Sequence, residues 1–423
     1  FVDDALLLMA NYFLEIENSL DEAQVHANQL VGGRSDTEDK VPAGHLILGR
    51  IALARGRTPE HFQTAIANYS RVVDGFPGHN EEVAEALYRM AEAQRLNGLT
   101  DEAISNYQNV CAAYSISTWC AKAALGMAVG LVRTGHWPRA VERLQWVRTN
   151  FPDSPESVTA YQWNTTLFRL YLRPSQPFAP GGRPPLQVNK VDAMVVDAKG
   201  RLLLASSAGV RVFDDTGTPQ AGFGSAEFNG VFLGERGRVF AFQSGSLVPE
   251  QGTPTSLSFM KDGKPKPVGD ILAAVTLSTG EFLVAAKDAG PLQSFSPSGE
   301  NLRPQFSAAV RADRLAVNEL DDVAVLDLDS KAISLWRPRD GAMVSLGSIP
   351  AGVLKNPVDI AFDPFGHLYV LDRDPGSVVV FAPFERTAQK FVSFAIPEKR
   401  ARAFALDQFG RLFIFDDKEK RVL

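Results

Sequence analysis

The chain has 423 residues, of which 45 % are hydrophobic and 22 % charged, and its formal charge is −6 at pH 7. That length exceeds the roughly 100–200 residues of a single domain, and the composition is that of a globular protein rather than a fibrous or disordered one. The acidic balance excludes a strongly basic nucleic-acid binder, which needs clustered Lys and Arg to neutralise phosphates, and the longest apolar stretch, residues 5–14, is about half a membrane span and contains Asn11.

Charge and residue type divide the chain. Residues 1–172 hold 14 Lys/Arg against 20 Asp/Glu and are rich in Ala, Leu, Glu and Arg. Residues 186–423 are rich in Val, Phe, Gly and Asp, with Gly or Pro at short intervals. Between them, residues 173–185 carry five prolines and two glycines. That composition continues neither a helix nor a central strand, so it reads as a semi-rigid spacer. The expected organisation is therefore a multidomain α and β chain: an α-helical repeat array over 1–172, a linker over 173–185, and an all-β domain over 186–423.

In the helical part, residues 3–31 read as one helical pair. Three longer units follow. Gly98 and Gly135 lie 37 residues apart, each followed by a small residue (Ala103, Ala140) and then a bulky one (Tyr107, Leu144). An earlier unit fits with about four extra residues in its turn: Gly56, Ala65, Tyr69 and Pro77. Gly just past a helix end takes the left-handed turn that starts an antiparallel partner. The small residue lets two helices approach closely, and the bulky one fills the space between repeats. The prolines of Phe76-Pro77 and Phe151-Pro152 stop the second helix of their units. This spacing resembles the tetratricopeptide repeat over residues 43–154, with residues 157–172 as a capping helix. The 37–38-residue period and the Phe-Pro turns are similar to the repeats of bacterial envelope proteins, such as outer-membrane assembly lipoproteins and the cell-division coordinator family.

From Val191 onward a triplet of short apolar runs recurs, with turn residues at 200, 237, 280, 321, 366 and 410. Short strands at about 40–50-residue spacing are the mark of a β-propeller, and six blades are expected. The last blade stops after its third strand, and residues 185–189 are available to supply the fourth and close the ring, which would remove an exposed edge. The blade pattern resembles the NHL-repeat propellers over residues 186–423, least so in blades two and three, where residues 261–267 form an insertion.

Chemistry is sparse. Enzymes of the propeller type gather several His or carboxylates around a channel to hold a metal, but His367 is the one histidine of the β half. It follows a turn glycine, where a solvated or strand-start histidine is expected. Asp327-Leu-Asp329 and Asp372-Arg-Asp374 lack the later ligands of a calcium loop and read as turn carboxylates. No Gly-rich phosphate loop or hydrolase motif occurs, so neither metal nor cofactor is expected. Cys111 and Cys120 flank a turn between repeats, where a disulfide and a buried reduced pair are both open. Trp119, Trp137, Trp146 and Trp163 are expected in inter-repeat packing. The charged runs at 398–402 and 418–421 read as solvated turns.

The tetratricopeptide resemblance implies a concave face carrying Arg50, Tyr88, Glu92, Arg95, Lys122 and Arg133, a mixed-charge surface suited to a protein segment. The expectation is a non-catalytic scaffold for other proteins, with no nucleic-acid partner and no transmembrane segment in this chain. The envelope resemblance implies a periplasmic or cell-envelope assembly in a bacterium. Phe1 in place of Met reads as a processed or incomplete start, and no signal peptide is visible. A ligand- or glycan-sensing propeller is the alternative reading, with a propeller lyase or hydrolase behind it.

Overall fold

The computed structural model describes residues 2–17, 19–32, 38–173, 185–224, 227–234, 237–261, 264–287, 292–302, 310–339, 342–374, 376–383, 390–396 and 400–423. Most of the 173–185 spacer and part of the 398–402 turn therefore lie outside the described residues. The chain forms two compact units, residues 1–164 and 165–423, and no described helix is long and apolar enough to cross a membrane.

The first unit is a run of helical pairs. The expected N-terminal pair is α1 (Val2–Glu15) with α2 (Leu20–Val31). Then come α3 (Val41–Arg55) with α4 (Pro59–Gly75), α5 (Asn80–Leu96) with α6 (Thr100–Ala113), and α7 (Thr118–Arg133) with α8 (Trp137–Asn150). A ninth helix, α9, spans Pro155–Leu167. Gly98 and Gly135 take the left-handed turn at φ 81° and 80°. Gly56 does not: its φ of 162° is extended backbone, because the longer turn reverses the chain over several residues instead of at one. The small residues Ala65, Ala103 and Ala140, and the bulky Tyr69, Tyr107 and Leu144, are all buried. Each tyrosine lies in a cradle left by a missing side chain. A Cβ on Gly49 would come 2.3 Å from the Tyr69 ring, and one on Gly126 would come 2.5 Å from the Tyr107 ring. These are the close-packing glycines that the pattern in the sequence left unassigned.

The second unit is a six-bladed propeller. In blade one, Ala193–Val196, Leu202–Ser206, Gly209–Phe213 and Pro219–Phe223 follow each other as an antiparallel meander. Inner strands Gly230–Leu233, Ile271–Thr276, Arg314–Val317, Pro357–Phe362 and Ala401–Leu406 open blades two to six. Blade three has three described strands, and the insertion before it is a hairpin pairing Ser258–Lys261 with Lys264–Pro267. Each inner strand touches the next, and the sixth touches the first. The ring closes as the chain order required: Leu186 pairs with Val422 and Gln187 with Arg421, so the first strand completes the last blade.

Six apolar layers fill the gaps between successive blades. Strands such as Leu368–Asp372 and Ser377–Phe381 are buried along their whole length, which explains their unbroken apolar runs. The six turn positions all have positive φ: Gly200, Gly237, Gly280, Gly366 and Gly410 between 73° and 89°, and Asp321 at 61°. Asp321 bears the strained conformation while its carboxylate accepts hydrogen bonds from the Ser278 backbone N–H (2.8 Å) and hydroxyl, in the turn of the preceding blade.

Candidate functional site

In the helical unit, a groove of about 270 Å³ runs across the first helices of four successive pairs. Leu7 and Asn11 come from α1, Ala43, Leu46, Ile47 and Arg50 from α3, Glu81, Glu82 and Glu85 from α5, and Trp119 from α7. Arg50 is held there by Glu15 (2.5 Å) and Asn11 (3.3 Å). Trp119 forms a half-buried wall. The Lys122 ammonium lies 4.1 Å from its ring centroid, the Arg89 guanidinium 5.4 Å, and the Tyr88 ring 5.3 Å. Glu85 pairs with Arg89, and Glu81 accepts from the Ser117 hydroxyl at 3.0 Å. Three carboxylates, one guanidinium and the Asn11 amide line a trough whose remaining walls are apolar.

Of the residues expected on the concave face, Arg50 lines this groove, and Tyr88 and Lys122 back its tryptophan. Arg95 is corrected: it is 5 % exposed and turned inward, with Nε 3.3 Å from the Tyr107 hydroxyl and a 2.8 Å ion pair to Glu92. Glu92 is committed to the same cluster, accepting the Tyr107 hydroxyl as well. A phenol and a carboxylate enclosed between helices need a cation to offset their desolvation, and Arg95 supplies it. Burial, with Glu92 alongside, pushes the Tyr107 phenol well above its usual range. Arg133 is half-buried in the last turn of α7, where a cation suits the helix dipole. The sequence pattern points Trp119 to inter-repeat packing rather than to a groove and assigns the three glutamates no role, although the Glu81-Glu82-x-x-Glu85 spacing on a first helix is a visible signal. Cys111 and Cys120 are joined by a disulfide that ties the last turn of α6 to the first of α7.

In the propeller, one device recurs in four blades. The Asp197, Asp363 and Asp407 Oδ1 atoms each accept the backbone N–H groups two and four residues on, at 2.8–3.0 Å. Asn318 does the same at 2.9 and 3.0 Å. The other carboxylate oxygen accepts from the side chain four residues on: Arg201 Nε (2.7 Å), His367 Nδ1 (2.7 Å) and Arg411 Nε (2.5 Å). His367 is thus the blade-five counterpart of two arginines. Of the two expectations, a solvated or a strand-start histidine, the first is corrected, since its exposure is 0 %. The second holds, since His367 directly precedes the strand Leu368–Asp372. Its Nε2 meets the Tyr171 hydroxyl at 2.9 Å, and its ring stacks 5.9 Å from Phe391. Tyr171 belongs to a π-helical turn, Phe168–Leu172, seated on blade five. Its phenol is raised above the usual range by burial and by the Asp363 charge. The spaced pattern Asp-x-x-Gly-Arg/His was the sequence signal for this role. Asp327 and Asp372 likewise accept from turn backbone N–H groups, as turn carboxylates do.

The inner strands of all six blades surround a channel of about 240 Å³. Its polar lining comprises Asp192, Asn229, Arg314 and Asp359. Asp359 follows an irregularity in strand register at the start of blade five. It accepts the Phe404 N–H of blade six and the Ile360 N–H, each at 3.0 Å. Burial raises its pKa to about 6, against the pull of Arg314 and these two N–H donors. Among the described residues no group of three or more His, Cys, Asp or Glu is placed to hold a metal ion.

These features define a tetratricopeptide-type helical array followed by a six-bladed propeller. Residues 85–115, which span the second half of α5 and all of α6, match the tetratricopeptide repeat family. No curated protein matches the chain. Among solved structures, the chain is similar to virginiamycin B lyase from Staphylococcus aureus at 11 % identity, covering 55 % of this chain and 81 % of that one with a TM-score of 0.41. It is similar to a gluconolactonase from Xanthomonas campestris at 16 % identity, covering 59 % and 97 % with a TM-score of 0.42. It is also similar to an auxiliary nutrient binding protein from Bacteroides ovatus at 12 % identity, covering 56 % and 69 % with a TM-score of 0.42.

Proposed function

We propose that the protein is a non-catalytic interaction scaffold whose helical array holds a segment of another protein. The observation that carries this reading is the groove from Leu7 to Trp119, which crosses four repeats and presents Glu81, Glu82 and Glu85 beside apolar wall residues. A partner segment with apolar anchors and basic side chains complements it. The non-catalytic reading is supported by how the propeller spends its chemistry: its sole histidine is sealed from solvent, and its turn carboxylates are committed to backbone N–H groups. The setting we propose is a bacterial cell-envelope assembly. The resemblance of the repeats to envelope proteins supports it, as does the Cys111–Cys120 disulfide, which suits an oxidising compartment.

Site-specific photo-crosslinking in the native host tests the reading. A photoreactive residue at Asn11 or Glu82 should give discrete adducts that are lost on adding Trp119→Ala. The same residue at exposed Glu60, outside the groove, should give none. Equal adducts at all three positions, or none at Asn11 and Glu82, would sink the proposal.

A further inference from the structure

Helix α1 is apolar on two sides. Its inner side packs Ala10 and Leu14 into a core cluster with Ala23, Ala27, Ile47 and Ile51. Its outer side leaves Leu8 72 % and Ile16 71 % exposed, with Val2, Met9 and Tyr12 exposed beside them. Ile16 continues the helical pattern, donating its N–H to the Tyr12 carbonyl at 2.9 Å. At about 100° per residue these five side chains fall within roughly a 120° arc, as one stripe along the helix. A helix with apolar residues on every side belongs in a buried setting, and a contiguous exposed apolar patch marks an interaction site. The stripe shares no residue with the groove, which takes Leu7 and Asn11 of the same helix.

Charge identifies the chemistry of the partner. Residues 1–40 hold nine Asp/Glu against two Lys/Arg, whereas the other 383 residues hold 40 against 41. The whole negative surplus of the chain therefore lies in the first helical pair and the segment after it. Lys40, Arg50 and Arg55 pair with Asp4, Glu15 and Asp21, which still leaves Asp3, Glu17 and Glu22 in excess on the pair. Glu17 stands at the edge of the stripe, accepting the Tyr12 hydroxyl at 2.5 Å. A second copy would bring two such acidic ends together, and an anionic lipid surface would meet the same repulsion. We propose that the outer face of α1 is a docking surface for an amphipathic helix of another protein, its apolar side flanked by Lys and Arg. Such a helix covers Leu8, Met9, Tyr12 and Ile16 while its cations meet the acidic end of the array. With 14 residues, α1 is about 21 Å long, which a partner helix of about four turns matches. The inference stands on α1 and its charge and is independent of what occupies the groove.

The test is fluorescence anisotropy of the purified full chain with a labelled Leu/Lys peptide of about 16 residues, patterned as an amphipathic helix. It should bind with a Kd of about 10 μM or tighter at low salt, and at least about tenfold more weakly in about 0.5 M salt. A scrambled peptide of the same composition, and one with Glu for every Lys, should each bind at least about tenfold more weakly. Leu8→Gln combined with Ile16→Gln should weaken the Leu/Lys peptide by about tenfold or more. Both positions are exposed, so the melting temperature of that variant should stay at the parent value. No saturable binding up to about 1 mM, equal binding of the scrambled peptide, or undiminished binding by the folded double variant overturns the inference. Binding lost in Trp119→Ala but kept in the double variant places the peptide in the groove and overturns it too. So does a dimer in sedimentation velocity that the double variant dissociates, since the face then belongs to a second copy.

Discussion

In the helical unit α1 to α8 each pack on their neighbours in the chain. In the propeller, by contrast, Leu186 pairs with Val422 across 236 positions, and blade six packs on blade one through Val188, Met194, Ala405 and Phe415. The array is therefore a chain of nearest-neighbour interfaces, whose stability is close to a sum over repeats. The ring is one cooperative object, because its sixth blade is complete only when the two ends of the propeller sequence meet. The same difference sets where function can reside. An open array exposes a long groove to another chain, whereas a closed ring encloses a small central cavity.

The largest effect should come from opening the ring. Val422 is 2 % exposed in the layer between blades six and one. Val422→Asp places an uncompensated charge there and should cost about 3–5 kcal/mol. Hydrogen exchange followed by mass spectrometry should then show lost protection in all six blades. Loss confined to blade six would break the comparison, since the propeller would then behave as a stack of independent repeats.

A smaller and local effect is expected in the array. Gly126→Val drives a branched side chain into the Tyr107 ring, 2.5 Å from where its Cβ would lie. That ring is fixed by Glu92 and Arg95, so overpacking of about 1–3 kcal/mol should follow. Protection should fall in α5, α6 and α7 and persist in α1 and α2. Uniform loss along the unit would show that the array is more cooperative than a sum of neighbours.

The smallest effect is electrostatic. The folded-state pKa of Asp359 is raised to about 6, above the unfolded value of about 3.9. Between these values the folded chain binds more protons, so this group's contribution to stability falls as pH rises from about 4 to about 6. Asp359→Asn keeps an oxygen for the Phe404 N–H and removes the charge. Its melting temperature relative to the parent should be higher at about pH 8 than at about pH 4, by the equivalent of about 2 kcal/mol. A constant difference across that range would show that the carboxyl does not carry the desolvation assigned to it.

Much of this architecture is legible in the residues themselves, because backbone demands leave local marks. Glycine at 98, 135, 200, 237, 280, 366 and 410 signals positive φ. Ala65, Ala103 and Ala140 mark close helix approach, and the truncated sixth blade points to the strand at Leu186. These signals depend on φ, on side-chain volume and on strand count, all of which are properties of short segments.

What only the tertiary structure decided are the partners of polar side chains. The place of Arg95 on a first helix suits a binding residue, yet it is buried against the Tyr107 hydroxyl, twelve residues on. His367 is sealed by Tyr171, from a turn nearly two hundred positions away, and by Phe391 of the fourth strand of its own blade. Trp119 joins a groove with Leu7, and Arg314 shares a channel with Asp359, only after four helices or six blades are in place. A titratable or aromatic side chain acquires its role from what desolvates it and what pairs with it. In a repeat protein those neighbours come from other repeats, so the period shows which positions recur and only the assembled fold shows which of them meet.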